Sequence, residues 1–176
     1  DKGIIGIIGS GSNAAFYNGR KVLENNYGLG YILADEASTN WQARQILKDF
    51  LTEAMPQGFR EKLLNKHNID RKMILDKTYN TPNPNIFLTS FADFILENKE
   101  DPYMEGIIRK GLELYVKTYL IPLSEAYPDS ILNFTGSVAN NYADWLREIA
   151  KENHLTVGTI IREPVQNLVK YFINKN

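Results

Sequence analysis

Cysteine is absent from the 176 residues of this chain. That excludes disulfides, thiolate zinc sites and cysteine-ligated iron–sulfur clusters, and it fits a reducing compartment, so a cytoplasmic location is expected. An excess of charge is also missing: 20 basic residues face 21 acidic ones, for a net charge of −1. No electrostatic drive toward nucleic acid or an anionic membrane follows, and neither partner is expected. No apolar run approaches the roughly 18 residues needed to span a bilayer. The apolar start Gly3 to Gly9 is too short for a signal peptide and carries no small-residue cleavage site. Only two histidines occur, His67 and His154. They lack ligand spacing, so no metal site built from protein side chains is expected. Repeats and low-complexity tracts are absent too. An initial Met is lacking, and the chain opens almost directly into a strand, which leads us to expect a domain cut from something longer.

What is present is ordinary for a globular protein. The hydrophobic share is 43% and the charged share 23%, and the length allows one domain with a real core. Ile4, Ile5, Ile7 and Ile8 form a β-branched run bounded by glycines, which reads as a buried strand. Ser12 to Tyr17 reads as a second strand. Asn18-Gly19 is a strong hairpin signal, with Arg20 to Leu23 as the returning strand. Tyr27 to Tyr31 is punctuated by glycines that allow close backbone approach. Asp35 or Ser38 caps a helix that runs to about Met55 and ends before Pro56-Gln57-Gly58. Phe59 to Thr78 reads as two helices split near Asn68, and Ile86 to Asn98 as another. Phe87, Phe91 and Phe94 form its core stripe. Asp101-Pro102 starts a helix that reaches Leu120, where Pro122 would kink or end it. Ser130 to Thr135 and His154 to Arg162 read as strands, with Val138 to Asn153 as the helix between them. Pro164 opens a last helix. Asn133-Phe134-Thr135 matches the glycosylation sequon, but it falls in an expected buried strand and reads as accidental. The order is a β-hairpin layer, many helices, then β-α-β-α: an α/β domain with a large helical insertion at about 56–127.

Three segments carry candidate chemistry. Gly9-Ser10-Gly11-Ser12-Asn13-Ala14 fits G-x-G-x-x-A, but a strand and an Asn-Gly turn follow where a dinucleotide fingerprint needs a helix. The Rossmann reading therefore fails. A tight glycine–serine turn between strands can still gather N–H groups around a phosphate; it can equally be a plain hairpin turn. Gly136-Ser137-Val138-Ala139 lies between a strand and a helix, where α/β sheets bind nucleotides. The alternative is an ordinary turn with Ser137 as N-cap. Asp35-Glu36 follows the glycine segment at a helix entry. A carboxylate there can accept hydrogen bonds from sugar hydroxyls, or it can simply favour the helix dipole.

Taken in order, these segments resemble the BadF/BcrA-type ATPase family, and within it the N-acetylglucosamine kinase branch of the actin/hexokinase/heat-shock-chaperone superfamily. Gly6-Ile7-Ile8-Gly9-Ser10-Gly11-Ser12-Asn13 is similar to a family strand ending in G-T-G-S-N. Gly28 to Ser38 resembles G-x-G-x-x-x-G-D-E-G-S, and Trp41 and Arg44 fit the helix that follows. Phe134 to Ala139 is similar to the adenosine motif. Glu163-Pro164 and Val165 to Phe172 resemble the family's C-terminal end.

The resemblance implies an RNase H-like, actin-like ATPase lobe, the C-terminal one of two that close on ATP and Mg²⁺. It implies that Gly9, Ser10, Gly11 and Ser12 contact phosphates. Gly136, Ser137 and Asn140 would line the adenosine pocket, and Asn13, Gly28, Gly30 and Asp35 would hold the amino sugar. The implied reaction is transfer of the γ-phosphate of ATP to the 6-hydroxyl of N-acetylglucosamine. The first phosphate loop and the catalytic Asp would lie in the N-terminal lobe, so no catalytic residue is expected in this chain and the fragment alone is expected to be inactive. Departures from the pattern are Ser10 for Thr, Ala34 and Ala37 for glycines, and Leu29 where Trp is frequent. The alternatives are an ATPase activator of a dehydratase, whose bridging cluster needs cysteine, and a non-catalytic sugar- or nucleotide-binding module. The oligomeric state stays open, a homodimer included.

Overall fold

A computed structural model describes residues 2–23 and 28–163. The expected helix from Pro164, the Val165–Phe172 resemblance and Tyr27 lie outside the described residues. A four-stranded mixed sheet forms the base, in the order β2-β1-β3-β4. β1 (Gly3–Ile8) pairs antiparallel with β2 (Ser12–Tyr17), with Ile8 opposite Ser12 and Gly3 opposite Tyr17. β3 (Leu132–Thr135) lies parallel to the other edge of β1, and β4 (Val157–Ile161) parallel to β3. Side chains alternate across the sheet. Ile4, Ile8, Ala14, Phe16, Leu132 and Phe134 therefore share the buried face, while Ile7 on the opposite face is 47% exposed. The Asn133 side chain is spent on this sheet: its carbonyl oxygen accepts from the Thr159 N–H at 2.9 Å.

The returning strand expected at Arg20 to Leu23 shrinks to one bridge, Tyr17 opposite Val22. The reason is local. The Asn18 side-chain oxygen accepts from the N–H groups of both Arg20 and Lys21 at 2.9 Å. Asn18 thereby builds an Asx-type turn that is wider than a two-residue hairpin.

The helices between β2 and β3 follow the sequence pattern with informative exceptions. After the short α1 (Gly30–Leu33), α2 (Thr39–Leu51) starts at Ser38, whose hydroxyl accepts from the Trp41 N–H at 3.1 Å. Ser38, not Asp35, is thus its cap. α2 stops at Leu51, short of Met55, because the Ala54 and Met55 N–H groups turn back to the Asp49 carbonyl. α3 (Gln57–His67) and α4 (Arg71–Tyr79) divide at Asn68, which adopts φ 39°. The single helix expected over Ile86 to Asn98 is two, α5 (Pro84–Thr89) and α6 (Ala92–Glu97). Between them the Ser90 hydroxyl donates to the Phe87 carbonyl at 2.7 Å, a local bond that competes with helix continuation.

α7 (Pro102–Tyr115) begins at the Asp101 cap and continues through one π turn, Val116–Leu120, into α8 (Ile121–Ala126). Pro122 therefore sits in the first turn of α8, where its missing N–H is tolerated. After β3, Tyr142 breaks the expected single helix into α9 (Ser137–Asn141) and α10 (Ala143–Glu152).

The helical insertion spans α3 to α8 and shares one continuous core with the sheet and α2. Phe91, Phe94, Met104, Ile108 and Leu112 are at most 1% exposed. Of the phenylalanine stripe, Phe91 and Phe94 are core, while Phe87 is partly buried and packs against the Phe91 ring. The His67 ring lies 4.5 Å from that of Phe91, and burial lowers its pKa from the ordinary histidine value.

Candidate functional site

The turn after β1 is fixed from behind. The N–H groups of Thr39 and Asn40, at the start of α2, donate to the carbonyls of Gly9 (2.9 Å) and Ser10 (3.2 Å). Those carbonyls are thus satisfied within the protein. Gly9 N–H donates to the Gly11 carbonyl at 2.9 Å, and Ser12 N–H donates to the Asp35 carboxylate at 3.1 Å. Among the described residues, nothing accepts from the N–H groups of Ser10 and Gly11. The Ser12 hydroxyl is buried and also lacks a partner. The turn therefore keeps unspent donors, the arrangement that suits an anion.

Asp35 comes to this turn from the far end of the glycine segment. It is 8% exposed, and its backbone is left-handed at φ 64°. Asp tolerates that region better than most residues, but Ala37, at φ 66°, does not. The chain holds Ala37 there through packing and through the Gln42 side-chain amide, which donates to its carbonyl at 2.7 Å. Strain of this kind persists only where the surroundings enforce it.

Arg44 braces the same loop by donating to the Ile32 carbonyl (3.3 Å) and the Ala34 carbonyl (3.1 Å). Burial lowers its pKa, and the carboxylates of Asp35 and Glu36 oppose that shift. Guanidinium remains protonated at neutral pH.

Two tyrosines of the α7–π-turn segment support the site from below, and neither was singled out in the sequence. Tyr115 is fully buried and donates to the Asn13 carbonyl at 2.7 Å. The Tyr119 hydroxyl bonds the Glu36 carboxylate. Burial comes first in pushing both phenols well above their ordinary value, with Tyr119 adding to the shift at Tyr115 and Glu36 to that at Tyr119. Both therefore stay protonated donors. Their signal was available: two tyrosines at i, i+4 on an apolar helix face need partners for their hydroxyls.

One open cavity of about 360 Å³ is lined by Gly9, Ser10, Gly11, Ser12, Asn13, Gly28, Gly30, Asp35 and Ile7. All eight of the expected phosphate and sugar residues thus share one space, although residues 14–27 separate Gly9–Asn13 from Gly28, Gly30 and Asp35. The ninth lining residue, Ile7, was not expected. Gly28 borders Asn13: a Cβ there would lie 3.4 Å from the Asn13 amide nitrogen.

Gly136, Ser137 and Asn140 do not line this cavity. Gly136 sits beside it at φ 120°, and a Cβ there would lie 2.2 Å from the Ile8 carbonyl oxygen. Gly136 is therefore required for packing the two turns together. Ser137 caps nothing, because it is the first residue of α9 and Gly136 holds the cap position. Ser137 and Asn140 are both exposed, one turn apart on the same side of α9. Thr135, which ends β3, has a buried hydroxyl without a partner.

Among the described residues no cluster of His, Cys, Asp and Glu could hold a metal ion, and no helix is long and apolar enough to cross a membrane.

No protein-family model and no curated protein matches the chain. Solved structures do. One is a putative N-acetylglucosamine kinase from Porphyromonas gingivalis, with a TM-score of 0.91 and 31% identity over 99% of this chain and 61% of that protein. Another, of the same description, is from Chromobacterium violaceum, with a TM-score of 0.65 and 19% identity over 90% of this chain and 55% of that one. At the lower identity the likeness is one of fold. The chain thus has the mixed α/β fold with helical insertions found in these proteins, and it spans less than two thirds of the length of either.

Proposed function

We propose that this chain is the C-terminal, RNase H-like lobe of an ATP-dependent sugar kinase acting on N-acetylglucosamine at its 6-hydroxyl. The observation that carries the reading is the shared cavity. Within it, a turn with unspent donors lies beside a buried carboxylate on a strained loop. The likeness to the Porphyromonas gingivalis protein supports the same direction.

In this reading the Ser10 and Gly11 N–H groups and the Ser12 hydroxyl hold phosphate oxygens of ATP. Mg²⁺ bound with the nucleotide would supply charge neutralisation. Asp35 already spends one carboxylate interaction on Ser12 N–H. Its remaining lone pairs can accept from sugar hydroxyls, while Asn13 offers an amide. Tyr115 and Tyr119 fix the backbone of Asn13 and the carboxylate next to Asp35. As the bond from the sugar oxygen to the γ-phosphorus forms, the bond to the β,γ-bridging oxygen breaks. The hydroxyl proton goes to a base on an opposing lobe. Gly136, Ser137 and Asn140 would border the adenosine on the other side of the Gly9 turn.

The test is calorimetry with N-acetylglucosamine and with a non-hydrolysable ATP analogue, together with a coupled kinase assay on a protein that includes both lobes. Saturable binding of both ligands is expected, with turnover only in the two-lobe protein. Asp35→Asn should weaken sugar binding by about ten-fold or more, the loss of one charged hydrogen bond of roughly 1.5–3 kcal/mol, and spare nucleotide binding. Binding without turnover in the two-lobe protein would make it a binding module. Unchanged sugar affinity in folded Asp35→Asn would return Asp35 to a structural role.

A further inference from the structure

A second cavity, of about 440 Å³, opens between α2, α4 and α5. It shares no lining residue with the site above. Its size falls in the roughly 300–1,000 Å³ range of small-molecule sites. Its floor is aliphatic, with Leu47, Ile74 and Leu88 buried beneath half-buried Leu51 and Leu75. Its polar edge is cationic: Arg44, Lys48 and Arg71 line it, and no carboxylate does.

Among the described residues, none of these three cations forms a salt bridge. Two of them, Arg44 and Lys48, stand at i, i+4 on α2, where like charges destabilise a helix. The cavity edge thus sets three positive charges over apolar surface with no carboxylate in its lining, although the Asp35 and Glu36 carboxylates lie close enough to act on Arg44 from outside it. Arg44 is also held in place, because its guanidinium bonds the Ile32 and Ala34 carbonyls. A head group meeting it would not have to order it first.

We propose that this cavity binds a small amphiphile with an anionic head and an acyl or aryl body. The body lies on the Leu47–Ile74–Leu88 floor. The head, a carboxylate or a phosphate, meets Arg44, Lys48 and Arg71. Charge decides against a neutral or cationic amphiphile, and the apolar floor decides against a simple inorganic anion.

The experiment titrates the purified protein with decanoate, decyl phosphate, decanol and decyltrimethylammonium below their micellar concentrations, using calorimetry. Saturable one-to-one binding is expected for the two anions, at least ten-fold tighter than for the neutral and cationic chains. Whichever anion binds more tightly identifies the head. Lys48→Glu and Arg71→Glu reverse exposed charges that form no salt bridge among the described residues, and each should weaken anion binding about ten-fold. Leu75→Trp should fill the cavity and abolish binding. Thermal melts of all three check that they fold. Equal binding of decanol, indifference to both charge reversals, or no saturable binding of either anion would overturn the proposal. So would a concentration-dependent dimer in sedimentation that Lys48→Glu dissolves, because the face would then be an interface between copies.

Discussion

β1 and its parallel neighbour β3 both end in glycine and serine, at Gly9-Ser10-Gly11 and Gly136-Ser137, yet the two turns lack side chains for different reasons. At Gly136 a Cβ would strike the Ile8 carbonyl oxygen at 2.2 Å, and φ is 120°. At Gly9 a Cβ would meet nothing within 4 Å. Gly11 is intermediate, because a Cβ there would reach the Asp35 carboxylate at 2.8 Å. One turn is glycine so that backbone can touch backbone. The other is glycine where it borders an open cavity. A glycine–serine motif is therefore not by itself a ligand signature; what the missing Cβ would have met separates packing from binding.

The sharpest way to break this comparison is Gly136→Ala. The new methyl collides with backbone, which cannot rotate away, in a region of φ that alanine avoids. A loss of about 3 kcal/mol or more is expected, read as a large drop in the urea midpoint or as failure to fold. A melting temperature within two or three degrees of wild type would mean that the β1 and β3 turns can separate, and the packing role of Gly136 would be lost.

Gly11→Ala should cost less, about 1–2 kcal/mol, because the collision is with a side chain. That side chain is anchored through Ser12 N–H, so displacement should also reach the sugar. Calorimetry should show sugar and nucleotide affinity falling together. A clean loss of nucleotide affinity alone would mean that Asp35 moves aside freely.

How much of this was legible beforehand differs between the two regions. The two strands follow from the β-branched run Ile4 to Ile8 and the segment Ser12 to Tyr17 before Asn18-Gly19, and the structure has them; which face is buried is set by packing. The grouping of Gly9–Asn13 with Gly28, Gly30 and Asp35 was implied by the family resemblance, and the cavity brings those residues together. The hidden features depend on three-dimensional partners. Nothing in Asn18-Gly19 announces that the Asn18 side chain will take both following N–H groups and reduce the returning strand to a bridge. The breaks at Ser90 and Tyr142 are invisible to an apolar periodicity that runs through them. The π turn at Val116–Leu120 leaves Tyr115 and Tyr119 on the site side, and its register is set by packing. The packing role of Gly136 was hidden as well, because the sequence shows a glycine but not the Ile8 carbonyl beside it.

Gly9→Ala should hardly affect the fold. Its methyl enters open space, so stability is expected to stay within about 0.5–1 kcal/mol of wild type, with restricted unfolded-state freedom favouring the variant slightly. Nucleotide affinity should nonetheless drop, since Gly9 lines the cavity. Unchanged affinity for a non-hydrolysable ATP analogue would leave the Gly9 turn as a plain connection between strands.

The smallest expected effect on the fold, and the most telling one, belongs to Ser12→Ala. The Ser12 side chain is 6% exposed, and its hydroxyl has no partner. Its backbone does the structural work, pairing opposite Ile8 and donating to Asp35. Alanine keeps both of those and removes only the oxygen. An unsatisfied buried polar group costs about 1–3 kcal/mol, so its deletion should leave stability unchanged or raise it by up to about 1 kcal/mol. If the hydroxyl is kept for a phosphate oxygen, the same change should weaken nucleotide binding by up to about ten-fold, the worth of one neutral hydrogen bond of roughly 0.5–1.5 kcal/mol. Stability and affinity would then move in opposite directions, which no purely structural serine produces. A lowered urea midpoint with unchanged nucleotide affinity would make Ser12 part of the packing, and the β1 turn would resemble the β3 turn after all.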